Sequence, residues 1–325
     1  MARDIEGNEL NQMLSVVKKY YELGMNQEQI AKEEFISKSS VCRLIKKANE
    51  NGYVTFKINY PMESVQALEE EFYGRFDLDK VFITPTYTED YDIRLKDTCK
   101  SLLSELTKIV QSQDILCLSW GSTLEQLANV TAAEGPAGKK CARVVLMNGS
   151  TAGDIYSTRS SQIVDQFSQY FSARGYLMPV PLIVDSKEAA EILKVDSHIK
   201  YVMDYVQQSQ LAVMSIGALT QESVLRKRGA YSQEEYDQVV SEGAVGDIAG
   251  RCFDIEGRQV NEEIAARLLG PTLAEIRSKK MRIGIAVGSH KARAIVGALR
   301  GGIVNRLYTD ELTAQEAVDI LNGKR

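Results

Sequence analysis

Several short polar segments stand directly after apolar, β-rich runs: Trp120-Gly121-Ser122-Thr123, Asn148-Gly149-Ser150, Asp185, Gly217 and Gly288-Ser289-His290-Lys291. Glycine lets backbone N–H groups approach a ligand closely. A helix opening at Ser122 or Thr123 points its dipole at whatever binds there, a combination suited to phosphate. Lys291, opening another helix, adds a point charge for the same anion. Any one such segment is explained by a tight strand-to-helix turn, but several along one edge point to a site. A further stretch, Gly243 to Gly250, frames Asp247 with glycines. That carboxylate either accepts from vicinal hydroxyls of a polyol or caps a turn. Trp120 either stacks on a sugar or fills core, and His290 either touches ligand or caps a helix; core and cap are the simpler readings.

A second constellation is cationic. Residues 1–60 carry a net charge of only +1, yet Ile36 to Lys47 holds Lys38, Arg43, Lys46 and Lys47 without an acid. On a helix entering a major groove, the N-terminal residues Ser39, Ser40 and Arg43 face base edges. Lys38, Lys46 and Lys47 are placed to hold phosphates. The plain alternative is a solvated helix face.

Other chemistries lack raw material. With His only at 198 and 290, a His-based zinc site or a Ser-His-Asp triad is not expected. The five cysteines, at 42, 99, 117, 141 and 252, include no CxxC and read as reduced structural thiols. Neither a GxGxxG after a strand nor a GxxxxGK[ST] occurs, so a dinucleotide and an ATP P-loop are disfavoured and no cofactor is implied. No apolar run approaches the roughly 18 residues of a membrane span, and Met1 to Glu6 has two acids and no apolar segment of a secretory signal. A cytoplasmic protein with no membrane partner is expected.

The elements that position these residues can be read in outline. The 325 residues, 44% hydrophobic with net charge −5, suffice for two domains or three. Leu10, Met13, Leu14, Val17, Tyr20 and Tyr21 recur at helical spacing up to Gly24. Asn26 can cap a second helix carrying Ile30 and Ala31, and Ser37 or Ser39 a third with Val41, Leu44, Ile45 and Ala48 inward, ended by Gly52. Two helices joined by three or four residues make a helix-turn-helix, and the alternation from Tyr53 to Ile58 adds a wing strand. Phe35 is awkward, because such turns favour glycine and a bulky residue at positive φ is strained.

A connecting helix from Met62 to Phe76, with Val65, Leu68, Phe72 and Phe76 on one stripe, packs either on its own chain or on a second copy. Symmetric dimers suit palindromic sites. Beyond it, strands are expected at Val81–Thr84, Ile115–Ser119, Val144–Met147, Pro181–Val184, Leu211–Ser215, Ile283–Val287 and Ile303–Leu307. Helices at Ile93–Val110, Leu124–Thr131, Ile163–Phe171 and Ala292–Leu299 lie between them. That alternation means a mostly parallel sheet covered on both faces, with ligands beyond the carboxyl ends of its strands. The expected organisation is residues 1–60 for DNA, 61–78 as connection, and 79–325 as the ligand-binding α/β domain.

The colinear series Gln27-x-x-Ile30-Ala31, Ile36-Ser37-Lys38-x-x-Val41-x-Arg43-Leu44-Ile45, Ser119 to Thr123, Leu146 to Ser150, Pro179-Val180-Pro181, Gly243 to Gly250, Gly288-Ser289-x-Lys291-Ala292 and Ala298 to Asn305 with Leu307-x-Thr309-Asp310 resembles the SorC/DeoR family of sugar-responsive bacterial transcriptional regulators. The match runs from about residue 10 to 322. The resemblance implies a small all-α winged helix-turn-helix domain plus a larger α/β domain with a mostly parallel sheet, similar to sugar-phosphate isomerase and CoA-transferase folds. It further implies tetramers or dimers whose operator affinity changes when a phosphorylated sugar binds. By motif position Ser122 and Thr123 hold the phosphate, Lys291 the anion and Asp247 sugar hydroxyls, and Gly121, Asn148, Gly149, Gly288 and Ser289 belong to the same effector site. Asn148 stands where some members carry a basic residue, which favours a monophosphate over a bisphosphate and removes an amine that could form a Schiff base.

Two functional classes follow. The first is a DNA-binding regulator, more simply a repressor than an activator, of a carbohydrate or deoxynucleoside catabolic operon, with operator DNA, a phosphosugar and its own copies as partners. The second is a sugar-phosphate isomerase or deaminase with an appended DNA-binding domain, for which Asp247, Asp185 and His290 are the only bases the loops offer.

Overall fold

Local signals dominate the first of two units into which the chain divides, residues 1–60 and 61–325. The computed structural model describes residues 2–54, 63–150 and 159–324. Three helices, α1 (Ala2–Tyr21), α2 (Gln27–Glu33) and α3 (Lys38–Glu50), form the first unit. Asn26 opens α2 with a reciprocal capping box through Gln29, and the Ser37 hydroxyl accepts from the Ser40 N–H at the start of α3. Val16, Ile30, Val41 and Ile45 make the core between them, extended by Met13, Val17 and Ala48. The strand expected over Tyr53 to Ile58 falls mostly on residues 55–62, outside the described residues; Tyr53 and Val54 are not in a strand.

Glu34 to Ser37 join α2 to α3. The turn is a Schellman closure: the Ile36 N–H donates to the Ala31 carbonyl at 3.0 Å, and Phe35 takes the left-handed position with φ 54°. Phe35 is 94% exposed, so its ring recovers almost none of that strain by packing. Phe35→Gly is therefore expected to stabilise this unit by about 1 kcal/mol. Thermal denaturation followed by far-UV circular dichroism checks it, and a lower midpoint would refute the strain account.

The second unit opens with α4 (Glu63–Tyr73), whose Val65, Leu68 and Phe72 are buried in the core of their own chain. Of the two uses open to this apolar stripe, the chain makes the first. There follow β1 (Lys80–Thr84), α5 (Tyr91–Ile109), β2 (Ile115–Leu118), α6 (Ser122–Glu134), β3 (Arg143–Leu146), α7 (Ser160–Tyr170), β4 (Arg174–Tyr176), α8 (Lys187–Val195), α9 (Ser197–Gln208) and β5 (Leu211–Ser215). Then come β6 (Gly217–Ala218), α10 (Val224–Lys227), α11 (Gln233–Ser241), β7 (Gly246–Ile248), β8 (Arg251–Phe253), α12 (Glu262–Ala266) and α13 (Leu273–Arg277). The chain closes with β9 (Met281–Ile285), a 3-10 turn at Ser289–Lys291, α14 (Ala292–Arg300), β10 (Arg306–Asp310) and α15 (Glu311–Leu321).

Seven strands form one parallel sheet in the order β1-β10-β9-β5-β2-β3-β4, and β6-β7-β8 form a small antiparallel sheet. The strands are apolar because helices cover both faces. Two expected strands differ. Pro181–Val184 is not a strand but extended chain with single bridges, Ser150 to Pro181 and Ile183 to Leu268, because Pro181 has no N–H for a ladder. The edge strand is β4 instead, and Asp185 does not end a sheet strand. The last strand begins at Arg306, not Ile303: the Ile303 N–H still closes α14 by donating to Ala298, and the Asn305 amide is held by Asp79 and the Lys280 carbonyl. No helix among the described residues is long and apolar enough to cross a membrane.

Candidate functional site

Strand order brings the carboxyl ends of β9, β5 and β2 side by side, with β3 next to β2. Beyond these ends lies a cavity of about 260 Å³, roofed by the loop after β6 and by the turn between β7 and β8. Gly121, Ser122, Asn148, Asp247 and Lys291 line it, together with Trp120, Gly217 and His290.

Lys291 ends the short turn after β9 and is only 7% exposed. Its Nζ donates to Thr123 Oγ1 at 3.0 Å. Thr123 itself is fully buried and does not line the cavity; its hydroxyl steadies the lysine instead. Burial pushes the Lys291 ammonium down to about 8, against the attraction of Asp247 and Cys99. The same burial pushes the Asp247 carboxyl up to about 6, offset by the Gly250 N–H and by Lys291. One Asp247 oxygen closes the turn by accepting from Gly250 N–H at 3.2 Å, while the side chain lines the cavity. Gly217 faces it in register across β6 and β7, and a Cβ there would stand 2.1 Å from Asp247 Oδ1. Only glycine leaves room for that carboxylate.

Helix α6 begins at Gly121, φ 135°, with no side-chain cap, whereas α2, α3, α5, α8, α9 and α11 all carry one. Its first-turn N–H groups lack the usual internal acceptor and open beside Ser122. Trp120 serves core and cavity together: it is 8% exposed and donates Nε1–H to the Gly149 carbonyl at 2.8 Å, and it is also among the lining residues. Gly149 gives that carbonyl from behind the lining. Gly288 donates its N–H to Thr313 Oγ1, and Ser289 is exposed outside the cavity. Asn148 is 1% exposed, and its Oδ1 lacks a hydrogen-bond partner among the described residues. Burial, and then the charge of Lys291, hold the His290 imidazole below the ordinary histidine range.

Residues the sequence did not single out also line the cavity: Tyr91 from α5, Ser215 from the end of β5, and Thr220, Glu222 and Ser223 from the loop after β6. Nothing in Leu219 to Ser223 distinguishes it from an ordinary loop. It reaches the site only because β6 pairs with β7.

In the first unit, α3 presents Ser39, Cys42, Arg43, Lys46 and Lys47 to solvent. Lys38 pairs with Glu28 at 2.8 Å, Lys47 with Glu9 at 2.6 Å and Lys46 with Glu50 at 3.8 Å. Among the described residues Arg43 makes one side-chain hydrogen bond, a 3.4 Å contact with Ser40 Oγ.

The family model described as "Putative sugar-binding domain" matches residues 60–319. The "Deoxyribonucleoside regulator" of Bacillus subtilis is 31% identical over 93% of this chain and 95% of its own length. The chain belongs to the SorC/DeoR family. The transcriptional regulator LsrR of Klebsiella pneumoniae is 32% identical over 91% of this chain and 89% of its own. The crystal structure of the full-length sorbitol operon regulator SorC from Klebsiella pneumoniae superposes with a TM-score of 0.76 at 25% identity, covering 95% of this chain and 98% of that one. These members are named as transcriptional regulators, not enzymes.

Proposed function

We propose that this SorC/DeoR family member is a sequence-specific DNA-binding repressor of a carbohydrate or deoxynucleoside catabolic operon, controlled by a phosphorylated sugar in the central cavity. The observation that carries the ligand is the pairing of buried Lys291 with the uncapped start of α6 on one side and Asp247 on the other. A cation and free N–H groups suit a phosphate, and a carboxylate suits hydroxyls. The cavity is smaller than the roughly 300–1,000 Å³ of drug-sized sites, which fits a single sugar phosphate. Asn148 supplies no second cation, so a monophosphate is preferred.

In this reading residues 1–60 are a winged helix-turn-helix that docks α3 in the major groove, residues 61–78 connect, and residues 79–325 bind effector and associate into dimers or tetramers. Ligand prefers one of two spacings of the reader domains by about 1 to 3 kcal/mol.

A thermal-shift panel of sugar phosphates and their unphosphorylated parents tests it. Ligand at 100 times its Kd adds about 2.7 kcal/mol, a shift of several degrees. Equal shifts from the free sugar would remove the phosphate from the account.

The two charges also set a pH window. Below about 6 Asp247 takes up a proton, and above about 8 Lys291 loses one. Affinity is therefore expected to be highest between these values and to fall on the alkaline side by up to tenfold per unit, as calorimetric titrations from pH 5 to 9.5 would show. Lys291→Arg should carry the alkaline limb out of range.

A further inference from the structure

A second cavity, of about 330 Å³, shares no lining residue with the first. Three cations meet in it: Lys194 from the last turn of α8, Arg251 from β8 and Arg277 from α13. Arg251 is 4% exposed and donates to the carbonyls of Pro271, Ala265 and Gly270. Arg277 donates to those of Gly301 at 2.7 Å and Gly257 at 2.6 Å. Neutral carbonyls fix both guanidinium groups without cancelling their charge. None of the three cations has a carboxylate within 4 Å among the described residues, and the Lys194 ammonium and Arg277 Nη1 have no hydrogen-bond partner there.

The neighbouring acids are engaged elsewhere or peripheral. Glu275 accepts from the N–H and hydroxyl of Thr272 in a capping box, Glu191 lies 3.8 Å from Lys187, and Glu262 alone joins the lining. Lys194 is held below the ordinary lysine range, first by burial and then by the charge of Arg251, with Glu191 and Glu275 acting the other way. Three clustered cations, one of them buried and none paired directly with a carboxylate, repel one another, and a multivalent oxyanion relieves that cost while using the open donors.

We propose that this cavity is a second anion site, separate from the effector cavity, that takes the phosphate group of a small metabolite between Lys194, Arg277 and Arg251. Arg251 directly follows Gly250, whose N–H holds Asp247, and donates to Gly270, where a Cβ would stand 2.9 Å from that of Asn148. The anion would therefore sit behind two residues of the effector cavity.

Inorganic phosphate, followed by calorimetry and ³¹P NMR at constant ionic strength, is the probe. Lys291→Met removes the cation of the first cavity from the full-length protein. That variant is expected to keep saturable binding of one phosphate per chain, weakened roughly tenfold or more by adding Lys194→Met and kept by adding Lys194→Arg. Lys194 is partly exposed and has no hydrogen bond among the described residues, so circular dichroism and the melting midpoint should not change with its substitution. No saturable binding in Lys291→Met protein, or affinity indifferent to Lys194→Met, would overturn the second site. Loss of phosphosugar binding in Lys291→Met alone concerns the first cavity and leaves this inference standing.

Discussion

Lys291→Ala is expected to weaken phosphosugar binding by about 2 to 3 kcal/mol, roughly 30- to 150-fold, and to leave the free sugar's weak binding nearly unchanged. The lysine is buried, held by Thr123, and placed where the N-terminus of α6 opens. Its bond to phosphate is therefore made in a medium that screens poorly and costs little further ordering. Asp247→Ala should have the opposite signature. It removes an acceptor for hydroxyls and is expected to cost phosphosugar and free sugar alike, by about 1 to 3 kcal/mol. Thermal shift and calorimetry on both variants separate the ends of the ligand. Were Lys291→Ala to affect both ligands equally, the phosphate would have to lie elsewhere in the cavity.

Arg43→Ala is expected to lower discrimination between operator and random DNA by about 1 to 3 kcal/mol, the worth of a bidentate base contact. Arg43 leaves its guanidinium essentially uncommitted on the exposed face of α3. Lys46→Ala should instead weaken binding to both sequences and reduce the salt slope by about one. The carboxylates now paired with Lys38, Lys46 and Lys47 do not prevent this. Exposed pairs of that kind contribute about 0 to 1 kcal/mol, so DNA phosphates can replace them. Fluorescence anisotropy across a salt series decides the matter; equal loss on both sequences for Arg43→Ala would reduce that residue to a phosphate contact.

Elements governed by short-range interactions were legible from the chain alone. Asn26, Ser37 and Gly52 mark their helix ends because a cap is a bond between residues two to five positions apart. Phe35 was recognisable as a strained turn residue for the same reason. Alternating apolar runs and amphipathic helices determined a parallel sheet, and the rule that ligands sit beyond its carboxyl edge was enough to single out Gly121, Ser122, Asn148 and Lys291 as candidates, while Asp247 stood out only by the glycines that frame it. Runs at the margin were not: Pro181 to Val184 is apolar and β-rich, but a missing N–H excludes it from a ladder, and Ile303 is drawn back to the end of α14.

Strand order, side-chain direction and desolvation were decided only by the tertiary structure. Residues 118, 215 and 285 are neighbours because β2, β5 and β9 are adjacent, a pairing over long separations that no local pattern encodes. The same closure turns Thr123 inward to hold Lys291, carries Thr220 to Ser223 over the cavity, and draws Lys194, Arg251 and Arg277 together from three distant segments. It also moves Asp247 toward 6 and Lys291 toward 8, since the cost of charge depends on how much water the fold removes around it. The sequence by itself thus determined which residue types stand at the sheet edge; the fold decided which of them share one cavity and how far burial shifts their charges.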